Sequence, residues 1–440
     1  MKSRSAEYNL LLTATLCLLA LGAVMVFSAS STTQVLNDGG LSNSAFYLKR
    51  TLMFGAVGLV IMHLVARHGL ATVRRLTPAI LAGSLFLLLV VLVAGSNVNG
   101  SSRWLGSGFL QVQPSEIAKV ALILYGADLL ASKPKRVGSI EGLMPFLLVV
   151  GAACLLIVAE PDLGTTLVIA FAVGATLIAA GARLRDLGLI ALILGSCALL
   201  LTVIEPYRMA RLTGFLNPGA DAAGAGFQAA QAKIALGSGG LFGVGIGNGV
   251  QKAFYLPEAH TDMISAVIGE ELGLVGITAV VGLFAMFGYA GLQVARKARD
   301  RYGKLLVAGL TSLILVQATI NLCAVMGLAP LTGIPLPFVS YGNSSLMASL
   351  FAVGLILNVA GGGKAGAARS ARTARRAKRA PARSTRSTRA GKLRVVEGGR
   401  APARGRSKTS GAKKSHSRSG GGGNRRPRRA GHGGRRRASR

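Results

Sequence analysis

Ten apolar runs, each of about the length needed to cross a bilayer, decide what this chain can fold into. They fall at roughly Tyr8–Ser28, Thr51–Ala66, Pro78–Gly95, Pro114–Ala131, Met144–Val158, Thr165–Gly181, Leu187–Ile204, Met263–Val294, Leu305–Leu328 and Ser340–Ala360. A hydrocarbon core ~30 Å thick asks for about 20 apolar residues in a helix. Lipid offers no partner for backbone N–H and C=O groups, so each run must satisfy its own as an α-helix. The expected fold is therefore an all-α polytopic membrane protein with ten transmembrane helices. Hydrophobic residues make up 51% of the 440 positions, too many and too blocked for a soluble domain. Lys2 and Arg4 precede the first run and Ser-Ala-Ser follows it. Its apolar core is long for a cleaved signal, and a signal anchor is expected.

Charge divides the chain in two. Residues 361–440 hold 27 of the 50 Lys and Arg but only one of the 16 acids, Glu397. The expected division is a membrane domain over 1–360 and a disordered basic tail over 361–440, since Gly, Ala, Ser and Arg cannot build a core. Short basic loops alternate along the body: Arg67, Arg74 and Arg75; Lys133, Lys135 and Arg136; Arg183 and Arg185; Arg296 to Lys304. With ten spans these all fall on one side together with both termini, and that side is the cytoplasm. Lys49 and Arg50 break the pattern at the outer end of the second run, where they would meet a ligand or anionic lipid. The tail is expected to bind anionic lipid or an acidic cytoplasmic protein. It is tethered to a membrane and lacks interleaved aromatics, so no nucleic-acid partner is expected.

The outer side then carries Ser96–Gln113, a large loop of 57 residues between helices 7 and 8 (Glu205–Thr261), and the proline-rich turn Ala329–Val339. A loop that long is a place to look for function. Its GSGGLFGVGIGNG segment (Gly237–Gly249) has no βαβ unit around it, which excludes a dinucleotide fingerprint and leaves a close-packing re-entrant segment. The four cysteines lie within apolar runs without metal-ligand spacing, so neither a disulfide nor a cysteine metal site is expected.

LPEAHTDMISAVIGEELGLVG (Leu256–Gly276) holds four of the 15 carboxylates of residues 1–360: Glu258, Asp262, Glu270 and Glu271. Ionisable groups at membrane depth are costly and mark function. Asp262, at the junction of loop and helix, would either cap the helix or serve as a general base on a hydroxyl. Glu116 and Lys119, on a helix opened by Pro114, would either pair at i,i+3 or form an anion site below Arg103. Asp162 would cap the sixth run. Arg208, Arg211, Lys233 and Lys252 could together clamp a diphosphate.

NGSSRW, QPSEIAK, EPDLGTT, PYRMARLTGFLNP, LPEAHTDMISAVIGEELG and GIPLPFVSYGNSSL, in this order, resemble the SEDS family, and its cell-division branch more than its elongation branch. The resemblance covers about Tyr8–Ala360. It implies a peptidoglycan glycosyltransferase of the bacterial inner membrane, at the division septum, which joins lipid II into glycan strands at the outer face. It also implies a class B penicillin-binding protein as partner, alongside other division proteins. Asp262 matches the family's proposed catalytic aspartate. Arg103, Glu116, Lys119, Arg208, Arg211, Lys233, Glu258, His260 and Ser344 would bind the substrate and its diphosphate, with a divalent cation, Mg or Mn, sharing that task. The chain departs from the family in two places: Asn343 stands where SYGGSS has its second glycine, and Met263 replaces a phenylalanine. A lipid II flippase is the alternative, with Glu270 and Glu271 on an ion-coupled path; a non-catalytic division scaffold is a third reading.

Overall fold

The structure is a computed structural model that describes residues 5–38, 46–68, 70–98, 101–106, 111–217, 225–253 and 255–362. The expected tail, apart from Gly361 and Gly362, lies outside the described residues. Among those residues are twelve α-helices and one small hairpin: α1 (Ala6–Asp38), α2 (Phe46–His68), α3 (Leu70–Ala94), β1 (Ser96–Val98), β2 (Ser101–Trp104), α4 (Pro114–Ser132), α5 (Ile140–Ala159), α6 (Leu163–Ala180), α7 (Leu184–Ile204), α8 (Pro206–Leu216), α9 (Ala225–Ser238), α10 (Ile264–Lys297), α11 (Arg301–Val325) and α12 (Asn343–Ala360). Nine of them are long and apolar enough to cross a membrane, as a polytopic protein requires. The remaining expected span is α4. It has 19 residues, and its Glu116, Lys119 and Asp128 make it too charged to face lipid. It packs instead among α3, α6, α11 and α12 with most of its residues buried.

Burial sorts the helices into centre and rim. α11 and α12 bury most of their side chains, whereas α7 buries none. The expected outer loop between helices 7 and 8 is largely structured, holding α8, α9 and a run of turns. α8 is amphipathic and opens with Pro206 at its first position, where a missing N–H costs nothing.

α10 is two helices rather than one. Gly273 breaks it at φ 66°, ψ −160°, a conformation that side chains with a Cβ avoid. At 1.5 Å per residue the break lies roughly 14 Å along the helix from Ile264. The glycine segment of the outer loop fills the break and supplies hydrogen bonds. Val244 and Gly245 donate N–H to the Glu270 and Glu271 carbonyls at 3.0 Å each, and the Gly240 and Leu241 carbonyls accept from Leu274 and Val275 at 3.0 and 3.2 Å. Gly243 (φ 82°) has no room for a Cβ, which would collide with the Glu271 carbonyl. The segment is thus close-packed as expected, and Gly273 forms a joint within α10.

Both glutamates of the joint are occupied by the fold. Glu270 Oε1 accepts from the Val250 and Gln251 N–H groups at 2.8 and 3.1 Å. Glu271 pairs with Lys252 at 2.6 Å and accepts from Ser28 of α1 at 2.7 Å. Lys252 is 2% exposed and also donates to the Gly247 carbonyl at 2.8 Å. A buried ion pair persists only when its remaining donors and acceptors are met in this way.

Candidate active site

Helix ends gather at one end of the bundle: α3 and α5 finish there, and α2, α4, α6, α10 and α12 begin. Asp162 is the side-chain cap of α6, its Oδ1 accepting from the Thr165 N–H at 3.0 Å. The β1–β2 hairpin lays Arg103 over the α5–α6 turn, where Nε donates to the Glu160 carbonyl at 3.1 Å and Nη2 to the Pro161 carbonyl. Ser344, at the start of α12, accepts from the Gln113 N–H at 3.1 Å and donates to the Gln111 carbonyl at 3.3 Å. It anchors the chain leading into α4 and does not line the cavity described next.

These elements enclose a cavity of about 420 Å³ whose wall includes Arg103, Glu116, Arg211, Glu258, His260 and Asp262. Asp262 is half-buried and does not cap α10: Met263 holds the N-cap position, and no side chain caps that end. Its carboxyl group is left for the cavity, while its backbone is held from below. Asn321 of α11 donates from Nδ2 to the Asp262 carbonyl at 2.7 Å and to the Ile334 carbonyl at 2.8 Å, and its Oδ1 accepts from Ser265 at 2.9 Å. One buried amide therefore fixes the Asp262 turn to the proline-rich turn.

The charges around Asp262 are arranged unequally. Burial and then the negative charge of Glu258 push its carboxyl up to about 7, against the pull of Arg211. That suits a base working near neutrality. Thr261 Oγ1 stands between the two acids, 2.7 Å from Glu258 Oε2 and 3.4 Å from Asp262 Oδ1. Glu258 adopts φ 55°, a left-handed conformation that costs a non-glycine residue energy and is often found at functional sites. Burial lowers the His260 pKa, with Glu258 opposing, so its ring is neutral at physiological pH. Gly333 separates Asp262 from Arg211: a Cβ there would stand 3.8 Å from Asp262 Oδ2 and 3.7 Å from Arg211 Nη1.

A second, mainly apolar groove of about 490 Å³ runs beside the cavity between α6, α7, α8 and α11. Arg103 and Arg211 belong to both walls, and Arg208 to the groove alone. Arg208 donates to the Leu201 and Val158 carbonyls at 3.3 Å each, and Arg211 to the Leu331 carbonyl at 3.0 Å.

The remaining expected residues lie apart. Lys119 is buried below the cavity floor, donating to Glu116 at 2.9 Å and to Gln317 at 2.8 Å, so the i,i+3 pair forms. Lys233 is exposed and lines a small separate cleft with Arg211. Lys252 belongs to the α10 joint, away from any diphosphate clamp. The sequence reading did not assign Tyr47, Tyr341, Gln317 or Asn321 to the site. Gln317 and Asn321 lie four apart in an otherwise apolar helix, and that spacing was a usable signal.

Taken together, the molecule is a polytopic helical membrane protein with an acid-bearing polar cavity that shares two arginines with an apolar groove. It belongs to the FtsW/RodA/SpoVE family: the family model described as "Cell cycle protein" matches residues 8–364. It is 41% identical over 366 residues to the "Probable peptidoglycan glycosyltransferase FtsW" of Trichlorobacter lovleyi, covering 82% of this chain and 94% of that one. It is likewise 41% identical over 354 residues to the stage V sporulation protein E of Bacillus subtilis, covering 80% and 96%. Among solved structures it is similar to a chain reported under "Structural coordination of polymerization and crosslinking by a peptidoglycan synthase complex", with TM-score 0.66, 27% identity, and 82% and 98% coverage. The Thermus thermophilus rod shape determining protein RodA matches with TM-score 0.59 at 27% identity, covering 80% and 95%.

Proposed function

We infer that the protein is a peptidoglycan glycosyltransferase that polymerises lipid II at the outer face of the bacterial inner membrane during septal wall synthesis. The observation that carries this reading is the shared wall: Asp262 sits in a polar cavity whose Arg103 and Arg211 also border an apolar groove. A substrate with a sugar, a diphosphate and a polyprenyl chain needs those three environments in that order. Asp262 takes the proton from the acceptor's sugar 4-hydroxyl, and the oxygen attacks the anomeric carbon of the growing strand. The C–O bond to the diphosphate breaks, and undecaprenyl diphosphate leaves with the negative charge. Arg103 and Arg211, already placed where that charge develops, lower the barrier. The groove holds the leaving polyprenyl chain.

Glu258, beside Asp262 on the cavity wall, is the carboxylate that would hold a Mg²⁺ or Mn²⁺ arriving with the diphosphate while Asp262 serves as the base. Among the described residues no three acids, histidines or cysteines gather to hold a metal, so such an ion would take its other ligands from phosphate and water. Bound there, it would neutralise charge on the diphosphate. With α4 counted as an internal span, ten helices place both termini in the cytoplasm and the cavity outside. The working partner is a class B penicillin-binding protein, and the basic tail contacts anionic lipid or an acidic protein. The flippase alternative drew on Glu270 and Glu271, which the joint in α10 occupies.

The test is polymerisation of labelled lipid II by the purified protein with its transpeptidase partner, wild type against Asp262→Ala. Polymer from the wild type and none from a folded, partner-bound variant is expected. Equal polymer from both removes Asp262 from the chemistry.

A further inference from the structure

The cavity wall carries three arginines. Arg103 and Arg211 also border the groove. Arg50, from the first turns of α2, does not. It is 7% exposed, lines the cavity and not the groove, and its guanidinium carbon lies 6.0 Å from the centre of the Tyr341 ring. Three rings in mutual contact connect this arginine to the Asp262 turn. Tyr47 lies 4.5 Å from His260 and 4.9 Å from Tyr341, centre to centre, and His260 lies 5.6 Å from Tyr341. All three also line the cavity. Beyond Arg50, α2 turns Leu52, Val57 and Val60 outward, as a lipid-facing helix does.

Resting on the polymerase reading, this layout matches a constraint of the reaction. Two diphosphate-linked sugars are held at once, and their anions stand at unequal distances from the reacting atoms. The donor's diphosphate is bonded to the anomeric carbon under attack, so its cations must stand beside Asp262, where Arg211 is. The acceptor's hydroxyl lies at the opposite end of its disaccharide from its own diphosphate. Its anion site must therefore be one disaccharide away, across a surface on which sugar rings can lie. We infer that Arg50 binds the acceptor's diphosphate, with Tyr47 and Tyr341 as the platform for the acceptor's sugars. Arginine suits the first task because its planar fork presents paired donors to phosphate oxygens. Aromatic faces suit the second because they offer rigid apolar area with a polar edge.

The experiment uses the protein with its transpeptidase partner, labelled lipid II as donor, and two competing acceptors. One acceptor is lipid II; the other carries the same disaccharide and peptide on a polyprenyl chain through an uncharged linker. The analogue has no leaving group, so it accepts once and ends the strand. The wild type should favour the diphosphate acceptor by at least about tenfold, the scale of one lost charged hydrogen bond. Arg50→Gln should erase that preference, read as more frequent termination by the analogue. Tyr47→Leu should raise the concentration needed of both acceptors and leave their ratio unchanged. Equal use of the two acceptors by the wild type, or an undiminished preference in Arg50→Gln, overturns the assignment. Should Arg50→Gln fail to fold, Arg50→Lys is read in its place. A several-fold weaker preference then supports the site, and the wild-type ratio overturns it. A wild type that makes no polymer from lipid II alone refutes the polymerase reading itself, a separate outcome from a working polymerase that ignores the linker.

Discussion

Asp262 and Glu271 lie nine residues apart in one sequence stretch, and the fold treats them oppositely. Glu271 is fully buried, paired with Lys252 at 2.6 Å and bonded to Ser28. Asp262 is half-buried in a cavity, its carboxyl next to the like charge of Glu258, with Arg211 opposing and the neighbouring Thr261 at 3.4 Å. The lesson is that an acid near the membrane does not by itself mark chemistry. An acid whose hydrogen-bond capacity the protein consumes is a strut; one whose capacity is left for a ligand is a reagent.

Exchanging the two effects is the largest test of that contrast. Glu271→Gln leaves Lys252 buried without its charge partner and should cost about 3–5 kcal/mol of stability, seen as a lower unfolding temperature in detergent, with little change in rate per folded molecule. Asp262→Asn should do the reverse. Stability should hold while polymerisation falls by roughly 10²–10⁴-fold, the range for losing a general base. A folded Glu271→Gln as inactive as Asp262→Asn would falsify the division.

Asn321→Ala should give a smaller effect and probes what holds the Asp262 turn in place. It orphans the Asp262 and Ile334 carbonyls and the Ser265 hydroxyl, at about 1–3 kcal/mol. The prediction is a fall of about tenfold in the rate constant at saturating lipid II, with Asn321→Asp failing to restore it because a carboxylate cannot donate.

The smallest effect concerns pH. An exposed aspartate loses its proton near 3.8, and Asp262 in the fold near 7. The folded state therefore holds a proton that the unfolded chain has released, so stability at this group falls as pH rises from 3.8 to about 7. On the polymerase reading activity should move the other way, because the carboxylate form of Asp262 accumulates through the same window. Glu258→Gln removes the second-largest cause of the shift and should move the rising limb of the pH–rate profile to lower pH by up to about one unit. Burial remains, so the limb should stay above the range of an exposed aspartate.

Most of the span pattern was legible, because hydropathy is local and α1, α3, α5, α7 and α11 follow directly from it. The place of Asp262 at the junction of loop and helix was legible for a related reason, an acid set against apolar neighbours. What could not be read was pairing across the chain: Ser28 meets Glu271 at a separation of 243 residues, and no local pattern announces that. The break at Gly273 was hidden as well, since glycine in an apolar helix also reads as a packing residue. Arg50 lay between these cases. Its misfit with the charge distribution was visible, but the rings that give it meaning come from residues 47, 260 and 341, and only the fold assembles them.

α7 carries a consequence of another kind. A helix whose side chains are half-buried at most answers chiefly to the lipid around it, so Leu, Ile and Val should be interchangeable over most of its length. Its sequence can drift while the bundle stays intact. The exception is the stripe Gly195, Ala198, Leu199 and Thr202, which lines the groove. Along residues 184–204, apolar exchanges should be tolerated almost everywhere except on that stripe.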